Sequence, residues 1–219
     1  FNDLKTLYPE IAAEADGSDP GKVRSGSTQK YNWKCKIGHS YEATINDRTP
    51  PNNDGCPYCS GRKVLKGFND LKTLYPDLAS EVLGWDPTTV TAGSNQKRKW
   101  KCHLNHAWDA VIASRTPPIN SGCPYCSSSK VLQGFNDLKT LYPNLANEAY
   151  GWDPATVTSG SRKEVKWRFE KGHVWKAQVN SRTPPRNTGC PECAKYGFDP
   201  GKDAYFYLME RAGEQQLGI

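Results

Sequence analysis

The chain has 219 residues, eight cysteines, a formal charge of +6 and a mean hydropathy of −0.77. No apolar run is long enough to span a bilayer, and no signal peptide or lipidation motif is present. The charge excess is too mild to name a partner. Whether the cysteines form disulfides or bind metal has to be decided from their spacing.

The opening segment Phe1–Pro9, FNDLKTLYP, returns at Phe68 and at Phe135, a constant period with no insertion between copies. This divides the chain into modules at 1–67, 68–134 and 135–195, with 196–219 as a linker and short tail. A unit of this size is near the limit at which a hydrophobic core suffices alone. Each module is therefore expected to depend on bound metal, which can contribute roughly 10–16 kcal/mol to folding. The chain begins in register with the repeat and without Met, which reads as a piece of something longer.

Within a module, Asn2 is the expected N-cap and Asp3 favours the first helical turn. Leu4, Leu7 and Tyr8 fall on one helical face, and Pro9 ends or restarts the helix. The run Ile11–Ala15, or Leu78–Leu83 in the second module, predicts another short helix. It closes at a turn: Gly17–Pro20, Gly84–Pro87 or Gly151–Pro154. After a turn-rich lead-in (Val90–Ser94, Val157–Ser161), a basic stretch reaches Trp33, Trp100 or Trp167, each expected in the core. Lys34, Lys97, Arg98, Lys99, Lys101, Arg162, Lys163 and Lys166 cluster there and suit phosphate contacts.

The stretch Trp33–Cys59, WKCKIGHSYEATINDRTPPNNDGCPYC, carries the chemistry. Cys-x3-His followed by Cys-x2-Cys is a four-ligand zinc pattern, since thiolates and imidazole at these spacings suit a closed tetrahedral site. The candidate Zn2+ ligands are Cys35, His39, Cys56 and Cys59, then Cys102, His106, Cys123 and Cys126. His106, not His103, keeps the register. The sixteen residues between the pairs are expected to form a β-hairpin that brings the two turns together. The alternating runs Tyr41–Asn46, Trp108–Ala113 and Trp175–Asn180 read as half-buried strands. The third module keeps His173, Cys190 and Cys193, but Phe169 stands in register with Cys35 and Cys102. Two readings stay open there: a degenerate unit, metal-free or weakly loaded, whose Phe169 packs the vacated space, or a catalytic zinc with water in the fourth position. Cysteines in metal spacing imply a reducing, intracellular compartment.

Arg48, Arg115 and Arg182 share a register before Thr-Pro-Pro. A stiffened loop would present such a guanidinium to phosphate or to a guanine edge. Equally, the side chain would bond nearby carbonyls or stack on a tryptophan.

Taken in order, the tryptophan before the first ligand, His-x-[Trp/Tyr]-x-Ala, Arg-Thr-Pro-Pro and Gly-Cys-Pro-x-Cys resemble the zinc-ribbon, treble-clef-like domains found in tandem beside nucleases. The resemblance runs through all three modules and ends before the tail. It implies small α+β zinc-binding modules in tandem, each with a knuckle, a β-hairpin and a second ligand pair near a helix start. It also implies nucleic-acid recognition, with double-stranded DNA the expected partner. The tail, Ala204–Arg211 and Gln216–Ile219, resembles the opening hairpin of a GIY-YIG nuclease domain through Phe206-Tyr207 and Leu217-Gly218. It departs at Tyr205 and Gln216, where that motif has a glycine and a tyrosine. By this resemblance Tyr207 would help activate the attacking water and Mg2+ would serve the nuclease. The family's arginine and glutamate would lie beyond Ile219, so this chain would bind without cutting. The expectation is a DNA-binding array that targets an attached nuclease. The alternative is an RNA-binding or protein-interaction zinc adaptor, with the tail an ordinary amphipathic strand.

Overall fold

The computed structural model describes residues 2–17 and 19–194, and the backbone of 207–211 and 214–218. The chain divides into two compact units, residues 1–123 and 124–219. Its three repeats share one set of short elements.

Each repeat opens on a single helical turn: Leu4–Leu7, Leu71–Leu74 and Leu138–Leu141. The cap is the aspartate, not the asparagine before it. Asp3, Asp70 and Asp137 accept the backbone N–H of Thr6, Thr73 and Thr140 at 2.8–2.9 Å. The asparagine is engaged elsewhere. Asn69 accepts from the Leu65 amide and donates to the carbonyls of Tyr58 and Lys63, and Asn136 does the same with Leu132, Tyr125 and Lys130. The start of one repeat is thus bonded to the turn that ends the repeat before it.

A proline at the first position then begins a second turn, Pro9–Ala12, Pro76–Ala79 and Pro143–Ala146. It stops earlier than the apolar pattern predicts. The following residues leave the helix to bridge the sheet, pairing Ala15 with Trp33, Val82 with Trp100 and Ala149 with Trp167. In repeat one the Lys34 amide donates to the Glu14 carbonyl at 2.7 Å. Three-residue 3-10 turns follow at Pro20–Lys22, Pro87–Thr89 and Pro154–Thr156.

Each repeat contains one antiparallel hairpin: β1 (Lys30–Lys34) with β2 (Ser40–Thr44), β3 (Lys97–Lys101) with β4 (Ala107–Val111), and β5 (Glu164–Arg168) with β6 (Val174–Gln178). The register sets Trp33 opposite Tyr41, Trp100 opposite Trp108 and Trp167 opposite Trp175. Trp33, Trp100 and Trp167 are fully buried. Their indole N–H groups donate to the carbonyls of Ala43, Ala110 and Ala177 at 3.0–3.1 Å, so the large ring is buried without stranding its polar atom. In repeat one Leu4, Ala12, Tyr31, Tyr41, Ile45 and Cys56 complete the core around Trp33. In repeat three Leu138, Val157, Val165 and Val179 do so around Trp167.

Two expectations are corrected here. The hairpin is not built from the sixteen residues between the ligand pairs. Its loop is the Cys-x3-His knuckle itself, because the basic stretch ahead of the knuckle alternates as strictly as the run after it. The second strands also end sooner than predicted. At Ile45, Ile112 and Val179 the chain turns into one helical turn ending at Arg48, Arg115 and Arg182. These three apolar residues are fully buried, and the turn brings the arginine back over the core.

In the tail, β7 (Tyr207–Arg211) pairs antiparallel with β8 (Glu214–Gly218). The expected hairpin is present as backbone. The side chain of Tyr207, and Tyr205 and Phe206, lie outside the described residues. Among the described residues no helix is long and apolar enough to cross a membrane.

Candidate metal centres

The first ligand pair sits in the hairpin loop. The Cys35 amide donates to the His39 carbonyl at 3.1 Å and the Gly38 amide to the Cys35 carbonyl at 2.7 Å. This tight loop needs a left-handed residue, supplied by Gly38, Asn105 and Gly172. The second pair sits in a turn after the Thr-Pro-Pro loop. In repeat three that turn is helical, Pro191–Ala194. The loop is pinned by its threonine: the hydroxyls of Thr49, Thr116 and Thr183 donate to the carbonyls of Ser25, Ala92 and Ser159 at 2.7–3.0 Å.

These turns bring together Cys35, His39, Cys56 and Cys59; then Cys102, His106, Cys123 and Cys126; and then His173, Cys190 and Cys193. Within each group the ligand atoms all lie within 4.8 Å of one another. His103 is exposed and outside the second group. The cysteines form no disulfide.

The spacing fits zinc. A tetrahedral ion with Zn–S of about 2.3 Å and Zn–N of about 2.0–2.1 Å sets its sulfurs ~3.8 Å apart and sulfur and nitrogen ~3.6 Å apart. In repeat one the Cys35 and Cys59 sulfurs are 3.8 Å apart, and His39 Nδ1 lies 3.3 Å from Cys59 and 3.8 Å from Cys56. His106 Nδ1 lies 3.8 Å from Cys123. His173 Nδ1 lies 3.5 Å from Cys190 and 3.4 Å from Cys193. Each of these three histidines presents the same nitrogen.

The electrostatics of the donor set also call for a cation. Desolvation, followed by hydrogen bonds and charge from Cys56 and Cys35, pushes the Cys59 thiol up to about 12. At Cys35 desolvation acts the same way, but hydrogen bonds from the backbone N–H groups of His39 and Ile37 and from the side chains of Cys59 and Cys56 together outweigh it and hold that thiol below its ordinary value. A dication at the centre of the group would stabilise the thiolate forms of its cysteines. The three Cys/His groups can thus hold zinc. The next repeat also supports the first site, since the Phe68 ring packs edge-on against His39 with centroids 4.1 Å apart.

The arginines before Thr-Pro-Pro do not face solvent. Arg48, Arg115 and Arg182 are 7%, 6% and 8% exposed. Arg48 Nη2 donates to Glu14 at 2.5 Å and Nη1 to the Asp54 carbonyl at 2.8 Å. Its guanidinium lies 5.0 Å from the Trp33 ring centroid and 5.8 Å from that of Tyr41. Arg115 bonds Glu81 and the Ser121 carbonyl and lies over Trp100 and Trp108. Arg182 bonds Glu148 at 2.6 Å and lies over Trp167 and Trp175. Of the two readings left open, the structure therefore supports the structural one: a clamp between a carboxylate and two aromatic faces, with no edge turned outward for a base. The sequence reading missed the carboxylate. Its signal was available, because Glu14, Glu81 and Glu148 each precede their arginine by the same interval along the chain.

The lysines differ. Lys34, Lys97, Lys99, Lys101, Arg162, Lys163 and Lys166 are exposed. Arg98 is half-buried, with its guanidinium 5.8 Å from the Trp85 ring centroid, so it faces away from its lysine neighbours. Lys176, which the sequence reading passed over, is exposed and stands directly opposite Lys166. The corresponding cross-strand pairs upstream are Asn32 with Glu42 and Lys99 with Asp109.

No curated protein matches the chain. A family model described as a probable treble clef zinc finger domain matches residues 10–62, 81–129 and 146–196, which together exceed half of the chain. With its three Cys/His groups each inside one of those matches, the chain belongs to this treble clef zinc finger family.

Proposed function

We propose that this chain is a zinc-structured module array that binds double-stranded DNA through the outward faces of its hairpins. The observation that carries the reading is the partition of side chains across each sheet. One face buries the aromatic core, and the other is exposed, with basic residues at every second position of β3 and at two of the three such positions in β1 and in β5, ~7 Å between successive positions along a strand. β3 shows Lys97, Lys99 and Lys101, and β5 shows Lys166 and Arg168. In repeat three Lys166 faces Lys176. Like charges directly opposite destabilise a sheet, and an anionic partner would relieve that cost.

Phosphate contacts of this kind position a protein without specifying sequence. With the arginines held in the core, the reading is sequence-tolerant binding dominated by the backbone. Duplex is favoured over single strands because stacking on unpaired bases needs exposed rings. Among the described residues, Tyr150 is the one aromatic side chain among the exposed large hydrophobics. The tail hairpin supports a finer reading, in which this array delivers a GIY-YIG-like nuclease domain, using Tyr207 and Mg2+, to DNA.

Fluorescence anisotropy with duplex DNA, single-stranded DNA and RNA of one sequence tests this. The expected order places duplex first, with an affinity that falls steeply with salt. Lys99→Gln should weaken all duplexes alike and reduce the salt slope by about one. Preference for RNA would favour the adaptor reading, and no binding to any of the three at low salt would overturn the proposal.

A further inference from the structure

The third Cys/His group differs from its sisters in one residue and in what that residue leaves undone. Phe169 occupies the place of Cys35 and Cys102, yet the knuckle around it is intact. The Phe169 amide donates to the His173 carbonyl at 3.0 Å and the Gly172 amide to the Phe169 carbonyl at 2.9 Å, as at Cys35. The backbone therefore aims the Phe169 side chain where its sisters aim a thiolate, and a benzyl group has no electron pair to give a metal. The other three donors keep their tetrahedral spacing, with His173 Nδ1 3.4–3.5 Å from the two sulfurs. Among the described residues no further His, Cys, Asp or Glu joins the group.

We propose that His173, Cys190 and Cys193 form a zinc site whose fourth ligand is exogenous and exchangeable, of the small anionic thiolate class. Three points on the molecule lead there. First, two thiolates and a neutral imidazole leave a zinc dication formally neutral, whereas the three thiolates of each sister site leave it at −1. One added anion would bring the third site to the −1 that its sisters carry. Second, a thiolate reproduces the Cys3His donor set that the same scaffold holds twice upstream, and zinc is soft enough to prefer it to a carboxylate. Third, Phe169, which stands in register with the missing ligand, is half-buried and lines a surface cleft with Asn147, Glu148, Arg168, Glu170 and Gly172, so its ring has open space beside it into which to turn away from the metal, and the exposed Arg168 and Glu170 set one charge of each sign at that cleft. Repeats one and two then act as closed structural sites, and repeat three as a site that takes a ligand from solution.

This inference stands apart from the nucleic-acid reading, and its test uses no nucleic acid. The full chain is loaded with Co2+ under a phosphine reductant, and the thiolate-to-cobalt absorption is followed while 2-mercaptoethanol is added. Three metal equivalents are expected, and one of the three should respond to the thiol with a saturable gain in charge-transfer intensity. A chromophoric chelator should extract one equivalent ahead of the other two. Phe169→Cys should abolish the thiol response and equalise the three. Should that variant fail to fold, Cys193→Ser serves instead, lowering the stoichiometry from three to two and removing the response. Binding of two equivalents only, or of three with a spectrum indifferent to thiol, would overturn the proposal.

Discussion

Replacing Arg48 with alanine should cost the first module about 3 kcal/mol, the low end of the range of about 3–5 kcal/mol for truncating one partner of a buried ion pair. The magnitude follows from what the guanidinium touches. Its side chain is 8% exposed and that of its partner Glu14 is 20% exposed, and this residual exposure of Glu14 places the case at the low end. The lost contacts over Trp33 and Tyr41, each worth ~0.5–1 kcal/mol, overlap with that figure rather than adding to it. Lysine would not rescue the site, because a single ammonium cannot reach Glu14 and the Asp54 carbonyl with the fixed fork that arginine offers. A chain of several modules does not unfold in one step, so the readout has to be local. Hydrogen exchange of the zinc-loaded chain, compared between β1–β2 and β3–β4, resolves one repeat from the next. A loss of about 3 kcal/mol corresponds to exchange about a hundredfold faster in β1–β2, with β3–β4 unchanged. Protection within about 0.5 kcal/mol of the parent, together with a fall in nucleic-acid affinity, would refute the clamp and return the arginine to a ligand-facing role.

Chelating the metal should unfold the modules, seen as loss of near-ultraviolet ellipticity from the buried tryptophans, because cores this small do not offset the entropy of ordering without it. Retention of that signal after at least two zinc equivalents are removed would count against the metal-dependent fold. Asp70→Ala should destabilise the start of repeat two by about 1 kcal/mol, the value of an N-cap. Burial pushes the Asp70 carboxyl up, but the Thr73 hydroxyl and amide and the Gly67 amide more than offset it and hold the folded pKa below 3.8. Stability from such a group is fully present above the unfolded pKa, about 3.9, and is lost as pH falls through the folded value. The deficit, read locally as lost hydrogen-exchange protection at the start of repeat two, should therefore stay constant from pH 8 to pH 5, and a deficit that changes across that window would mean another group is involved. Asn69→Ala removes the side chain bonded to Leu65, Tyr58 and Lys63. It should speed exchange in the ligand turn of repeat one as well as in repeat two, and an effect confined to repeat two would show that the two are not coupled there.

Much of the molecule was legible because its signals are local. Cys35 and His39 must share a turn, since so little chain separates them, and the same holds for Cys56 and Cys59. The constant period turned one pattern into three replicates and singled out Phe169 as the exception and His106 as the ligand-register histidine. Burial of Trp33 follows from strand alternation, which is also a property of neighbours. The remaining features depended on partners far along the chain. The turn at Ile45 ends the strand because Ile45 fills the core beside Trp33, a fact of packing that strand alternation does not encode. For Arg48 the sequence left two readings level, a cation presented by a stiff loop or a side chain turned onto nearby carbonyls and a tryptophan. Its fate was decided by Glu14, far upstream in the sequence, which the bridge of Ala15 to Trp33 carries into range. Lys176 is unremarkable in sequence, and only the pairing register sets it against Lys166. Ligand spacing is a matter of covalent reach and is written in the sequence, whereas the direction a charged side chain faces is settled by which distant groups the fold places beside it.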